Sequence, residues 1–311
     1  MRCITAFRLA APLGASLLTL ALAGCGEQGP PPERLKPPGP PPTPTLEQVR
    51  SATVSGMFDQ AITLANGKYE GPPAEPGAAS RPTAVLWEPT LHAADLDGVI
   101  GSEALAMLSS NSGGSGEFVS LAVFGMRDGA FANVATVPVG DRVRLQSLWL
   151  ERGKVVMDVI EPGPNDAACC PTQVSSKTYG YADGTFKQVS SEVRGMLALS
   201  MLSANEWTLA EIDGQPLAAD LDPPLIHFEA QRLRGFAGCN RFTAPVTESK
   251  PGEIDIGTAG AEKKACPPPQ MELEQKFLTR LDAVNRYGYV AGQLALTWVD
   301  GDRVGTLLFR K

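Results

Sequence analysis

Histidine is almost missing from this 311-residue chain: His92 and His227 are the only two. Neither sits near a paired-cysteine array, so the usual thiol and imidazole zinc sites are not on offer. The phosphate loop G-x-x-x-x-G-K-[ST] and the dinucleotide fingerprint G-x-G-x-x-G are also absent, which removes the commonest nucleotide-binding classes. No apolar run reaches the roughly 20 residues of a membrane-spanning helix. Aromatic residues make up 6% and charged residues 20% of the chain, and 27 basic side chains face 34 acidic ones, for a net charge of −7. A chain starting at Cys25 would lose Arg2 and Arg8 but no acid, leaving −9. Such a surface repels phosphate backbones, and nucleic acid is not expected as a partner. What is present, 32 Gly, 27 Pro and 43% hydrophobic residues, fits neither a wholly disordered chain, a collagen nor a polytopic membrane protein. The length predicts two small domains.

Arg2 and Arg8 precede an apolar stretch from Leu9 to Ala23, which ends in Leu22-Ala23-Gly24-Cys25. A basic start, a short apolar run and small residues at its end are the layout of a secretory signal peptide, residues 1–24. The last four residues resemble the lipobox of bacterial lipoproteins. That resemblance implies a diacylglyceryl group on the Cys25 thiol, cleavage before Cys25, and acylation of the new amine, with palmitate as a typical chain. Two or three acyl chains meet the two-signal requirement for stable anchoring. The expected partner is therefore a membrane, reached through a lipid anchor. Gly26 stands where inner-membrane lipoproteins carry Asp, so in a Gram-negative source the resemblance implies the outer membrane, facing the periplasm. A plain secretion signal with an incidental cysteine is the alternative.

From Gly26 to Thr45 nine of twenty residues are proline, which favours extended polyproline II over helix or ladder. Residues 25–45 thus read as a lipidated cysteine and a spacer that could reach roughly 60 Å at about 3.1 Å per residue. Residues 46–195 read as a β-rich domain of short alternating segments: Ala84 to Trp87, Ala104 to Leu108, Phe118 to Phe124, Phe131 to Val137, Val143 to Leu150 and Val155 to Ile160. Asp128-Gly129, Arg152-Gly153 and Asp183-Gly184 mark turns, and Ala65-Asn66-Gly67 predicts a hairpin between Ile62 to Leu64 and Lys68 to Glu70. A short helix is weakly patterned over Leu46 to Ala61.

Residues 201–311 form a second unit. Strands are predicted at Trp207 to Ile212, Leu225 to Phe228, Leu233 to Ala237, Glu253 to Ile256, Leu294 to Trp298 and Val304 to Phe309. Leu273, Phe277, Leu281 and Val284 fall on one face of a helix that Pro267 to Pro269 start and Gly288 stops. Glu272 and Glu274 fall in its first turn, Arg280 and Arg286 toward its end. The fold class expected is α+β, mainly antiparallel, with a β-rich domain followed by a small domain of one sheet and one main helix.

Trp207, Asp213-Gly214 and above all the octet from Gly235 to Phe242 resemble the META, or HslJ-like, family, as do Ala265-Cys266-Pro267, Glu272 or Glu274, and a helix ending near Tyr287. The resemblance spans about 110 residues and singles out Gly235, Gly238, Cys239, Asn240 and Phe242. Where the family usually carries threonine, four residues before the second cysteine, this chain has Glu262. The resemblance implies envelope stress tolerance and brings no enzymatic activity. Read from the residues alone, Gly235 and Gly238 permit backbone that a Cβ forbids, Asn240 can bond its own turn, and Cys239 is small and buriable. Asp95-Leu96-Asp97-Gly98, the stretch from Asn111 to Gly116, Gly140-Asp141-Arg142 and Cys169-Cys170-Pro171 make residues 46–190, more faintly, similar to a domain that often precedes META domains in bacterial lipoproteins, a resemblance that brings no function.

Cys3 leaves with the signal and Cys25 is taken by lipid, so Cys169, Cys170, Cys239 and Cys266 remain for disulfides outside the cytosol. Cys239 with Cys266 would staple the META-like unit; Cys169 with Cys170 would then form a vicinal bridge or stay reduced, and crossed pairing is the alternative. Asp95-Leu96-Asp97-Gly98 is similar to the start of a calcium loop, but Val99 and Gly101 stand where further oxygens belong, and a plain turn is favoured. Gly113-Gly114-Ser115-Gly116-Glu117 fails as a nucleophile elbow because Glu117 replaces the last glycine. Cys239 with His227 could be a thiolate and base, yet a disulfide explains the cysteine better. No catalytic residue, metal or cofactor is expected. The chain reads as a membrane-anchored envelope lipoprotein with a non-enzymatic binding or envelope-stability role. A hydrolase without a recognisable motif, or a protease-inhibitor-like interaction module using the loop Ala167 to Thr172, is the alternative, and the envelope partner or ligand is unknown.

Overall fold

Alternation of apolar and polar side chains accounts for most of the strands in the computed structural model, which describes residues 42–73, 77, 79–98 and 102–311. The signal, Cys25 and all but the end of the proline-rich spacer lie outside the described residues. After α1 (Leu46–Arg50) come β1 (Thr53–Val54), β2 (Ile62–Thr63) and β3 (Lys68–Glu70). Then β4 (Thr83–Ala94), β5 (Glu103–Asn111), β6 (Phe118–Arg127) and β7 (Ala130–Asp141) complete a five-stranded antiparallel sheet with β3. The next four, β8 (Arg144–Glu151), β9 (Lys154–Glu161), β10 (Gln173–Ala182) and β11 (Thr185–Met196), make a second antiparallel sheet. At the Arg152-Gly153 and Asp183-Gly184 turns both residues take positive φ, the geometry that two-residue hairpins need.

β5 and β6 depart from simple alternation because both their faces are covered. Leu105, Met107, Leu121 and Val123 pack with Val155, Met157 and Tyr179 of the second sheet. Their neighbours Ala104, Ala106, Leu108 and Ala122 pack the other way, against Val49, Val54, Ile62 and Leu64. Two features differ from the sequence reading. The early helix is only five residues long, capped by the Thr45 side chain. The two-residue turn expected at Asn66-Gly67 forms, with both residues at positive φ and Ala65 and Lys68 exchanging backbone bonds of 2.7 and 3.1 Å, but the ladder does not run on from it: β2 pairs with β1 and β3 with β4.

After a 3₁₀ turn (Leu199–Ala204), the C-terminal strands are β12 (Glu206–Ile212), β13 (Gln215–Pro216), β14 (Leu225–Glu229), β15 (Arg232–Phe236), β16 (Arg241–Lys250), β17 (Glu253–Ile256) and β18 (Gly260–Ala261). α2 (Pro268–Asp282) follows, then β19 (Val284–Val290), β20 (Gln293–Asp300) and β21 (Arg303–Arg310). The order β12-β14-β15-β16-β17-β19-β20-β21 returns to β12 through the β12 to β21 pairing, so eight strands close on themselves. This corrects the α+β expectation: the molecule is mainly antiparallel β with barrel-like closure and little helix. α2 sends Leu273, Phe277 and Leu281 into the barrel core. The helix stops at Asp282 rather than at Gly288, and Val284, Arg286 and Tyr287 belong to β19. Its first turn holds no acid, since Glu272 and Glu274 come later. Among the described residues no helix is long and apolar enough to cross a membrane.

Candidate functional site

The octet spans the end of β15 and the start of β16, and each of its marked residues has a packing or bonding task. A Cβ on Gly235 would lie 1.9 Å from the Leu225 carbonyl oxygen of the neighbouring strand, so only glycine fits. Gly238 has φ +104 and turns the chain where L side chains are strained. Cys239 is bonded to Cys266 with Cα atoms 6.0 Å apart, an ordinary disulfide span. Phe242 meets Phe277 of α2 edge to face at 5.9 Å.

Asn240, 1% exposed, does not mainly bond its own turn. Its amide nitrogen donates to Glu274 Oε1 at 3.0 Å, and its backbone N–H to Glu274 Oε2 at 2.6 Å. The same side chain accepts from Lys264 N at 2.9 Å and donates to Lys264 O at 3.2 Å. The sequence pattern left Glu272 and Glu274 as alternatives; Glu274 is the buried one. Glu262 accepts from Arg241 N at 3.3 Å and pairs with Lys264 at 2.7 Å, and the Lys264 bond holds its carboxyl below the usual range.

A cavity of about 780 Å³ lies over β12, β14, β15 and β16, with Leu225, His227, Arg234, Phe236 and Arg241 on its walls. His227 Nδ1 is 3.2 Å from Asn205 O and its Nε2 3.7 Å from Glu229. Since Cys239 is bonded to Cys266, it supplies no free thiolate for the pair imagined with His227.

A smaller groove, about 220 Å³, opens where the β9 to β10 loop meets β19 and β20. Cys169 and Cys170 are bonded to each other on its wall, beside Pro171 and Thr172. Asp166 builds this loop: its carboxylate accepts from Gly163 N at 2.8 Å, Thr172 N at 2.6 Å and Thr172 Oγ1 at 2.8 Å. Burial pushes the Asp166 carboxyl up, but these bonds outweigh it and the net direction is down. A turn bond from Cys170 N to Ala167 O, 2.9 Å, completes the frame. Arg144 and Arg286 also line the groove.

The structure gathers Asp95 and Asp97 with Glu103, which the calcium-like tetrapeptide did not reveal because Glu103 begins the next strand. Their ligand atoms lie within 4.8 Å of one another, a set that could hold a cation. Burial raises the Glu103 carboxyl, whose Oε2 accepts from Leu96 N at 3.0 Å. Arg127 already meets Asp97 at 3.2 Å and Gly98 N meets Asp95 at 2.9 Å. Val99 and Gly101 lie outside the described residues. The Ser115 segment is the tip of the β5 to β6 hairpin, braced by Asn111 Nδ2 to Gly114 O at 2.8 Å and by Glu117 to Arg144 at 2.7 Å. Cys25, the residue expected to carry lipid, lies outside the described residues.

Comparison with known proteins adds one family: the META domain model matches residues 200–309. No curated protein matches the chain. A solved chain described as "NMR structure of the protein" is 24% identical, covering 37% of this chain and 95% of its own, with a TM-score of 0.31 that carries no argument about fold.

Proposed function

We propose that this chain is a lipid-anchored cell-envelope protein whose folded part acts by binding, in an envelope-stress or stability role, and not by turnover. The observation that carries the reading is that all four cysteines left after Cys25 are paired, as Cys169 to Cys170 and Cys239 to Cys266, which suits an oxidising compartment. The META match supports an envelope-associated, non-enzymatic role. The lipobox-like Leu22-Ala23-Gly24-Cys25 supports tethering, and the proline-rich segment supports display at a distance from the bilayer. Engagement of Cys239 in a bridge argues against cysteine catalysis.

The test is metabolic labelling with a clickable palmitate analogue, with fractionation. The wild-type chain is expected to take the label at Cys25 and to sediment with membranes. Cys25→Ala is expected to be unlabelled, with its mature form freely soluble. An unlabelled wild-type chain that stays soluble would end the anchoring claim.

A further inference from the structure

We infer that the groove beside Cys169 and Cys170 binds small carboxylate-bearing thiols and exchanges disulfides with them. A bridge between chain neighbours encloses no residues between its ends, so the loop-closure stabilisation that a disulfide ordinarily supplies does not apply. Cys239 and Cys266, by contrast, are 27 positions apart and staple β15–β16 to the start of α2. The vicinal bridge is therefore left with chemistry, not stapling, as its contribution. Its position suits that. Cys169 is exposed and Cys170 half-buried on the groove wall, and exposed bridges are the labile and reactive class.

The surroundings select the partner. The charged side chains lining the groove are Arg144 and Arg286, with no carboxylate among the lining residues. Arg144 is 2.7 Å from Glu117, whereas exposed Arg286 has no ion-pair partner among the described residues. On a chain of net charge −7, Arg286 is a cation left open at the groove. It attracts an anionic group and favours a thiolate as attacking and as leaving sulfur. The volume of about 220 Å³ lies below the range of drug-sized pockets, which limits the occupant to a small molecule. The loop is held by Asp166 and by Leu197 N to Thr172 O at 2.7 Å, not by the sulfurs, so it keeps its place when the bridge opens.

The exchange balances. The thiolate of a small thiol attacks Cys169 Sγ, a mixed disulfide forms, and the Cys169 to Cys170 bond breaks with its electron pair leaving on Cys170 Sγ. A second small thiolate attacks the small thiol's own sulfur in that mixed disulfide and releases the Cys169 thiolate. Two small thiols are oxidised to their disulfide, the bridge is reduced to two cysteines, and the two protons end on Cys169 and Cys170. Each chain reacts once unless it is reoxidised.

The purified, oxidised full-length chain in detergent is treated at low ionic strength with reduced glutathione, which is anionic, or with cysteamine, which is cationic. Samples are acid-quenched, and both bridges are followed by differential alkylation and mass spectrometry. The Cys169 to Cys170 bridge is expected to open faster than Cys239 to Cys266 by on the order of tenfold. The glutathione-to-cysteamine rate ratio at that bridge is expected to fall by on the order of tenfold in Arg286→Gln. Circular dichroism checks that the variant is folded; if Arg286→Gln does not fold, loss of the ratio in 0.5 M salt replaces it. A ratio unchanged by Arg286→Gln or salt, equal opening of the two bridges, or Cys169 and Cys170 free in the oxidised chain overturns the proposal. The inference shares the oxidising setting of the envelope reading, but a missing lipid on Cys25 would leave this test untouched.

Discussion

Two carboxylates organise the cysteine-bearing turns: Asp166 gathers the loop of Cys169 and Cys170, and Glu274 reaches from α2 to hold Asn240 beside Cys239. The marked octet was legible in the sequence, but Asn240's main partner was not, because Glu274 is 34 residues away and only the fold brings it near. A third carboxylate, the half-buried Glu161, faces Lys177 Nζ at 2.7 Å. Burial pushes the Glu161 carboxyl up, but Lys177, Ser175 and Gln173 outweigh it, and the net direction is below the ordinary carboxylate range. On acidification the unfolded chain takes that proton first. The pair's stabilisation is thus full above the ordinary value near 4.3 and is lost as pH falls through the lowered folded value. Glu161→Gln is expected to flatten this acid limb and to cost about 3 kcal/mol at pH 7, since Lys177, 7% exposed, would lose its counter-charge and keep only neutral acceptors, Val139 O and the new amide oxygen. Urea unfolding from pH 7 to pH 3 measures both; an acid limb unchanged from wild type would refute the assignment.

At the scale of elements, alternation alone did not decide what could be read: β5 and β6, covered on both faces, stand out as apolar runs, whereas β16, which alternates with one buried face, does not stand out. Of the longer strands β10, β11, β16 and β19 went unread, and for the last two the reason is local. β16 starts inside the glycine-rich octet, which looks like a turn. β19 follows α2 directly, and its inward Val284 extends the helical spacing of Leu273, Phe277 and Leu281 by chance. Val284, Tyr287 and Tyr289 all face the core, with an irregularity in register between Val284 and Arg286. α2 itself depends on Phe277, fully buried and edge to face with Phe242 at 5.9 Å and Phe309 at 6.4 Å. Phe277→Ala is expected to cost about 3–5 kcal/mol with an unchanged denaturant slope. A loss under 1 kcal/mol in guanidinium unfolding would mean that the helix is not part of the barrel core.

For the molecule as a whole, the barrel core does not end at the barrel. Ile160 of β9 and Val174 of β10 belong to the same buried cluster as Trp207 and Phe309. Gly292 N donates to Leu145 O at 3.0 Å, and Gln146 Nε2 to Tyr289 OH at 3.2 Å. Thermal unfolding followed by tryptophan fluorescence and far-ultraviolet circular dichroism is expected to show one shared transition, and Ile160→Ala to lower it as a unit, by about 2–4 kcal/mol. Two separated transitions, with only the earlier one moved by Ile160→Ala, would show that the halves fold independently. The sequence by itself determined the strand-rich character, most strand positions, the marked octet and the acidic surface, since period, turn chemistry and charge are local properties of the chain. Only the tertiary structure decided that eight strands close into a barrel, that Glu274 meets Asn240, and that two arginines share a groove with a vicinal bridge. Those pairings join residues dozens to more than a hundred positions apart, and nothing in a local pattern says which distant segments will meet.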